Sequence, residues 1–168
     1  IKAAFSDSYH IPASGSPPDE ILNKASELLF NHSLLNGHPK FFGYITSSPA
    51  PIGALADLLA SAINPNVGAN ILSPAATEIE KQTVSMLTDL LGLPSSFGGL
   101  LVSGGNMANL TAFLAARIAK APVLLKTDGI SGIRERMVSY CSVATHTWVE
   151  KAAIHSGMGT GSVRWVET

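Results

Sequence analysis

The stretch Gly98-Gly99-Leu100-Leu101-Val102-Ser103-Gly104-Gly105-Asn106-Met107-Ala108-Asn109 runs from apolar residues through glycines into helix formers. A buried strand over residues 100–102 that stops at Ser103-Gly104-Gly105 and restarts as a helix over residues 107–120 would do chemistry of one kind. It aims backbone N–H groups and the positive end of a helix dipole at one spot, where a phosphate would sit. The same two glycines also suit a tight turn that lets helix and strand pack closely. His146 is the second residue of interest. It follows the apolar run of residues 137–141, and ligands of open α/β sheets gather beyond the carboxyl ends of the strands. Its plainer role is to cap the helix that follows. His10, His32 and His155 have no ligand spacing with one another or with carboxylates, so the pattern argues against a zinc site. The single cysteine, Cys141, excludes an internal disulfide framework, fits a reducing compartment and reads as a buried strand residue rather than a nucleophile.

The elements that must position these residues can be read from periodicity. Residues 1–17 lack it and carry Ser, Pro and Gly, which predicts an arm or disordered lead. Pro18 opens a helix with Ile21, Leu22, Ala25, Leu28 and Leu29 on one face, ending near Asn31. Residues 32–51 form a loop bearing Phe41, Phe42 and Tyr44. A core helix follows over residues 52–63, with Leu55, Leu58, Leu59 and Ala62 inward, and Asn64-Pro65-Asn66 stops it. Ser73-Pro74 has the form of an N-cap and first helical position, with Glu78 and Glu80 near the positive end. That helix repeats Ile79, Thr83, Met86, Leu87 and Leu90 and terminates at Gly92. From there the order is strand 100–102, helix 107–120, strand 137–141, helix 148–155 and strand 163–166, with a surface loop over residues 126–136. This order predicts an α/β fold with a mainly parallel sheet.

Composition narrows the class. With 168 residues and 46% apolar content the chain can bury a core, and a net charge of −1 gives no electrostatic reason to expect nucleic acid or an anionic membrane as partner. The apolar run of residues 52–63 is interrupted by Asp57 and is too short to span a bilayer. The chain starts at Ile1, shows no signal segment, and stops directly after a strand-like run. With about three sheet strands for an α/β domain, an incomplete chain is the expectation.

Four blocks stand in order along the chain: His38-Pro39-Lys40-Phe41-Phe42-Gly43-Tyr44, Ser73-Pro74-Ala75-Ala76-Thr77-Glu78-Ile79-Glu80, the Gly-rich turn, and Thr145-His146-Thr147-Trp148-Val149-Glu150-Lys151-Ala152. Together, from about Pro17 to the end, they resemble the group II decarboxylases that use pyridoxal 5′-phosphate, with the aromatic-L-amino-acid decarboxylase branch as the nearest likeness. The resemblance implies a fold-type I, transferase-like α/β architecture, a mainly parallel sheet flanked by helices and preceded by an N-terminal helical segment. It divides the chain into residues 1–72, an arm with a helical dimerisation and substrate-loop segment, and residues 73–168, the first part of the cofactor-binding large domain.

The same resemblance places Gly105 and Asn106 on the phosphate of the cofactor and His146 over its pyridine ring. It places Tyr44, Ile45, Thr46 and Ser47 in the substrate pocket near a subunit interface. The family often has a small hydroxyl residue in place of Asn106, whose amide can also donate. Some aromatic-specific relatives have Phe then Pro where this chain has Ile45 then Thr46, which weakens the case for strict aromatic selectivity. Thr77 and Glu78 read mainly as helix-start residues. The implied partners are a small amino-acid substrate and a second copy of the chain, and the implied location is cytoplasmic. The chemistry also needs a lysine to anchor the cofactor and a carboxylate to keep the pyridine nitrogen protonated. The family supplies these from a later His-Lys motif and a later Asp-bearing strand, and these 168 residues contain neither. The chain is therefore expected to be part of a decarboxylase that releases carbon dioxide and an amine, inactive by itself. Alternatives are another fold-type I enzyme, aldehyde-forming or transaminating, or a non-catalytic dimerisation fragment.

Overall fold

The structure, a computed structural model, describes residues 11–121 and 124–168. His10 and most of the expected N-terminal arm lie outside the described residues. The chain divides into two compact units, Ile1–Asn66 and Val67–Thr168, each described by itself.

In the first unit, helix α1 spans Pro18–His32, with proline in the first turn, where a missing N–H costs nothing. Asp19 and Glu20 sit at its positive end and His32 at its negative end. Helix α2 spans Pro51–Ile63 and stops at Asn64, which adopts the left-handed conformation (φ 45°) and donates its N–H to the Ala60 carbonyl. The stop falls where Asn64-Pro65 predicts it. The expectation of a core helix is corrected, because no residue of α2 is buried. A helix apolar on every side, with Asp57 its one charge, carries more apolar surface than the short unit around it covers.

The second unit opens with helix α3, Pro74–Leu90. Ser73 stands at its N-cap, but its side chain makes no cap bond; instead its carbonyl accepts both the N–H (3.1 Å) and the hydroxyl (2.9 Å) of Thr77. The C-terminus closes as a Schellman motif. Gly92 (φ 66°) donates to the Asp89 carbonyl and Leu93 to the Thr88 carbonyl, each at 3.0 Å. The face of α3 that the unit covers carries Thr77, Glu80, Val84 and Thr88, while Ile79, Met86 and Leu90 of the expected apolar stripe stay exposed.

The predicted strand over residues 100–102 is also corrected. The segment pairs with no strand among the described residues, and Leu100 is 59% exposed. Its neighbour Leu101 gives its N–H to the Glu80 carboxylate at 2.7 Å, so a side chain takes the place of a sheet partner. Helix α4 then spans Gly104–Lys120, three residues earlier than expected, which puts Gly104, Gly105 and Asn106 in its first turn. The expected loop of residues 126–136 contains the end of a short helix α5, Leu124–Asp128, and a 3-10 turn, Ile130–Gly132.

Strand β1 covers Ser139–Ser142, helix α6 Trp148–His155 and strand β2 Val163–Val166. The two strands pair in parallel, Ser139 opposite Val163 and Ser142 opposite Val166, so the connection must cross over through α6. Parallel pairing therefore holds for two strands rather than the three expected. Val149, Ala152 and Ala153 recur at helical spacing on the sheet side of α6 and are buried; Val149 and Ala153 meet Val163, with Cys141 and Trp148 packed against the cluster. Cys141 is thus half-buried in β1.

Candidate functional site

The first turn of α4 is an open cradle. The first N–H groups of a helix have no partner inside it, and at α4 no side chain caps them. Gly104 takes φ 78°, a conformation that glycine adopts without strain. A Cβ added at Gly105 would find no atom within 4 Å, so the backbone there stands clear for a group to approach. A phosphate suits such a turn, with unpaired N–H donors, a positive dipole end and the Asn106 amide alongside.

His146 lies in the connection between the carboxyl end of β1 and the start of α6. The connection is tight: Thr145 donates to the Ser142 carbonyl (2.9 Å), and Ala144 to the Ser142 hydroxyl (3.1 Å). The imidazole Nδ1 of His146 accepts the backbone N–H of Trp148 at 3.3 Å. In a neutral ring this bond places the proton on Nε2 and fixes the ring's direction, while the side chain as a whole stays exposed. The capping role is thereby realised, and it leaves the ring available.

A cavity of about 230 Å³ opens between α4 and α6, lined by Asn106, Met107 and Leu110 on one side and Trp148, Lys151, Ala152 and His155 on the other. Asn106 and the start of α6 thus share one space. The indole of Trp148 meets the ring of Phe113 edge-to-face, with centroids 6.3 Å apart and planes at 78°. Sequence reading did not single out Trp148 or Phe113. Their only signal was helical spacing: Phe113 stands seven residues, two turns, after Asn106.

Tyr44, Ile45, Thr46 and Ser47 belong to the first unit. Tyr44 is 87% exposed and holds φ 59°, a left-handed conformation costly for an aromatic residue. Ile45 and Thr46 are exposed as well, whereas Ser47 lines a separate hollow with Phe30, Leu34, His38 and Pro49. Thr77 and Glu78 are helix-start residues, Glu78 pairing with Lys81 at 2.6 Å. No helix among the described residues is long and apolar enough to cross a membrane.

The family model for the pyridoxal-dependent decarboxylase conserved domain matches residues 6–168. The chain is similar to an aromatic-L-amino-acid decarboxylase of Bacillus atrophaeus, 37% identical over 158 residues, which are 94% of this chain and 31% of the relative. It is also similar to the acidic amino acid decarboxylase GADL1 of Homo sapiens, 28% identical over 92% of this chain and 29% of the relative. Among solved structures, Oryza sativa TDC with PLP and tryptamine superposes with a TM-score of 0.84 at 26% identity, covering all of this chain and 38% of that one. The chain thus spans about a third of the length of the proteins it matches.

Proposed function

The chain belongs to the pyridoxal-dependent decarboxylase family, with the fold of fold-type I enzymes, and from that membership we propose that it forms part of an L-amino-acid decarboxylase. Pyridoxal 5′-phosphate is the cofactor of the family, and when bound it supplies an electron-accepting ring for cleavage of the bond to the carboxylate carbon. The residues of this chain bind and orient. Backbone N–H groups of the α4 first turn at Gly105 and Asn106, with the Asn106 amide, hold the phosphate. His146, steered through Nδ1 by the Trp148 N–H, would hold the pyridine ring of the cofactor with its imidazole. Tyr44 through Ser47 line the substrate pocket, where the exposed Tyr44 offers a phenol to the substrate.

The substrate is an aromatic or related amino acid, since the more similar of the two relatives is named for aromatic substrates. The assembly is a homodimer with a shared active site in the cytoplasm; the exposed apolar residues of α1 and of the apolar helix α2 support the need for a covering partner. The observation that carries the reading is the uncapped, unobstructed first turn of α4, whose Asn106 shares a cavity with Trp148 at the start of α6.

The test is decarboxylation by the full-length protein containing this segment, loaded with pyridoxal 5′-phosphate and offered a panel of aromatic and acidic L-amino acids. Carbon dioxide and the matching amine should form in equal amounts, fastest from an aromatic substrate. An aldehyde in place of the amine would move the reaction to the aldehyde-forming class. The absence of any turnover would overturn the proposal.

A further inference from the structure

The cofactor reading needs two helix starts to keep a fixed spacing, because α4 carries the phosphate cradle in its first turn and α6 is preceded by His146. The packing between the two helices is incomplete. The cavity of about 230 Å³ separates them where Asn106 and Leu110 face Lys151 and Trp148. Trp148, which lines the cavity, also makes an edge-to-face contact with Phe113 of α4, with centroids 6.3 Å apart. Trp148 also reaches the other way, its backbone N–H donating to Nδ1 of His146 at 3.3 Å.

We infer that Trp148 is a positioning residue: its backbone orients His146 and its indole, braced on Phe113, holds the α4 cradle at the distance from that imidazole which the cofactor spans. The inference rests on the cofactor reading above. The physical reason lies in what surrounds the contact. Val149 and Ala153 of α6 pack against Val163, and Trp148 itself abuts that cluster, which gives the indole a fixed footing on the sheet. A brace that borders a cavity has no neighbour ready to replace it. Shortening the indole lets α4 settle toward α6 and displaces Gly105 and Asn106 relative to His146.

The experiment uses the full-length protein and two readouts, affinity for pyridoxal 5′-phosphate and the visible circular dichroism of the bound cofactor, which reports how the ring is held. Trp148→Ala and Phe113→Leu should each weaken affinity roughly two- to tenfold, the scale of losing one aromatic pair. Both should alter the dichroism. Trp148→Phe, which keeps an edge-to-face pair, should restore both readouts to near the parent values. The double variant should be no worse than either single one, because both remove the same contact.

Gly105→Val serves as the control for the cofactor reading itself. If it loses the cofactor while Trp148→Ala keeps parental affinity and dichroism, the brace is overturned and the cradle stands. If Gly105→Val binds as the parent does, the cofactor reading falls and the brace with it. Should far-ultraviolet dichroism show that Trp148→Ala is unfolded, Phe113→Leu decides alone, and parental values there overturn the inference. Strict additivity in the double variant would also overturn it.

Discussion

Asn106 and Gly105 illustrate how a residue's type and its position in an element act together. An amide and a bare backbone in the first turn of a helix offer donors, and the open space beside Gly105 lets an anion reach them. In the full-length protein Asn106→Ala should lower affinity for pyridoxal 5′-phosphate by removing a donor to a charged group, worth about 1–3 kcal/mol. That corresponds to a roughly five- to hundredfold loss. Equilibrium titration checks it, with pyridoxal lacking the phosphate as the contrast: it should bind poorly and discriminate little between parent and variant. His146 has an observed bond to the start of α6 and a proposed role at the cofactor, and one substitution separates them. Its cap bond to Trp148 is worth about 1 kcal/mol, so His146→Ala should shift the thermal midpoint by about 2–8 °C at most. Turnover should fall by about tenfold or more, the loss of about 1.4 kcal/mol or more of transition-state stabilisation. Parental turnover in that variant would leave His146 with capping alone. Gly105, Asn106 and His146 stand out as candidates in the sequence because glycines after an apolar run and a histidine after a strand are local signals. Trp148 and Phe113 do not, since an edge-to-face contact between residues 35 apart in sequence has no local signature.

At the level of elements, most helix boundaries followed local chemistry. Prolines at the starts of α1, α2 and α3, Asn64 at the end of α2 and Gly92 after α3 act over one turn, and each took effect where the sequence placed it. Gly92 permits a quantitative check. Its φ of 66° closes the Schellman motif, so Gly92→Ala forces an L-residue into the left-handed region at about 1–2 kcal/mol. The thermal midpoint should fall accordingly, with cofactor affinity unchanged because the motif lies outside the cradle. An unaltered midpoint would show that the motif is not a point of strain. The segment of residues 100–102 went the other way. Its apolar run suits a strand, yet a strand exists only with a neighbour to bond, and here the Glu80 carboxylate takes the Leu101 N–H instead. The burial of α3 was likewise not legible. Periodicity identifies an apolar face, but it does not say which face the chain's own segments will cover, and Ile79, Met86 and Leu90 remain outside.

For the molecule as a whole, the buried apolar side chains among the described residues gather in the second unit, at Leu125, Val149, Ala152, Ala153 and Val163. Helix α2, with Ile52, Leu55, Leu58 and Leu59 each at least 60% exposed, has its apolar surface uncovered. If the proposed homodimer covers it, Leu58→Ser in the full-length protein should weaken association by about 1.5–3 kcal/mol, the value of burying one leucine. This is a roughly ten- to hundredfold rise in the dimer dissociation constant, readable by sedimentation across a concentration series. An unchanged constant would place α2 outside the dimer interface. The 168 residues alone, which contain no His-Lys pair, should release no carbon dioxide from amino acids above the rate of free pyridoxal 5′-phosphate, and sustained turnover would contradict this. By itself the sequence determined the family and most helix boundaries, and it singled out the α4 turn and His146 as candidates, because motifs, caps and periodicity act between residues a few positions apart. Tertiary structure alone decided that Leu101 donates to a carboxylate rather than to a strand, which faces of α2 and α3 lie open, and that an indole of α6 meets a phenyl ring of α4. Those outcomes depend on what distant segments place beside one another, and no local pattern encodes that.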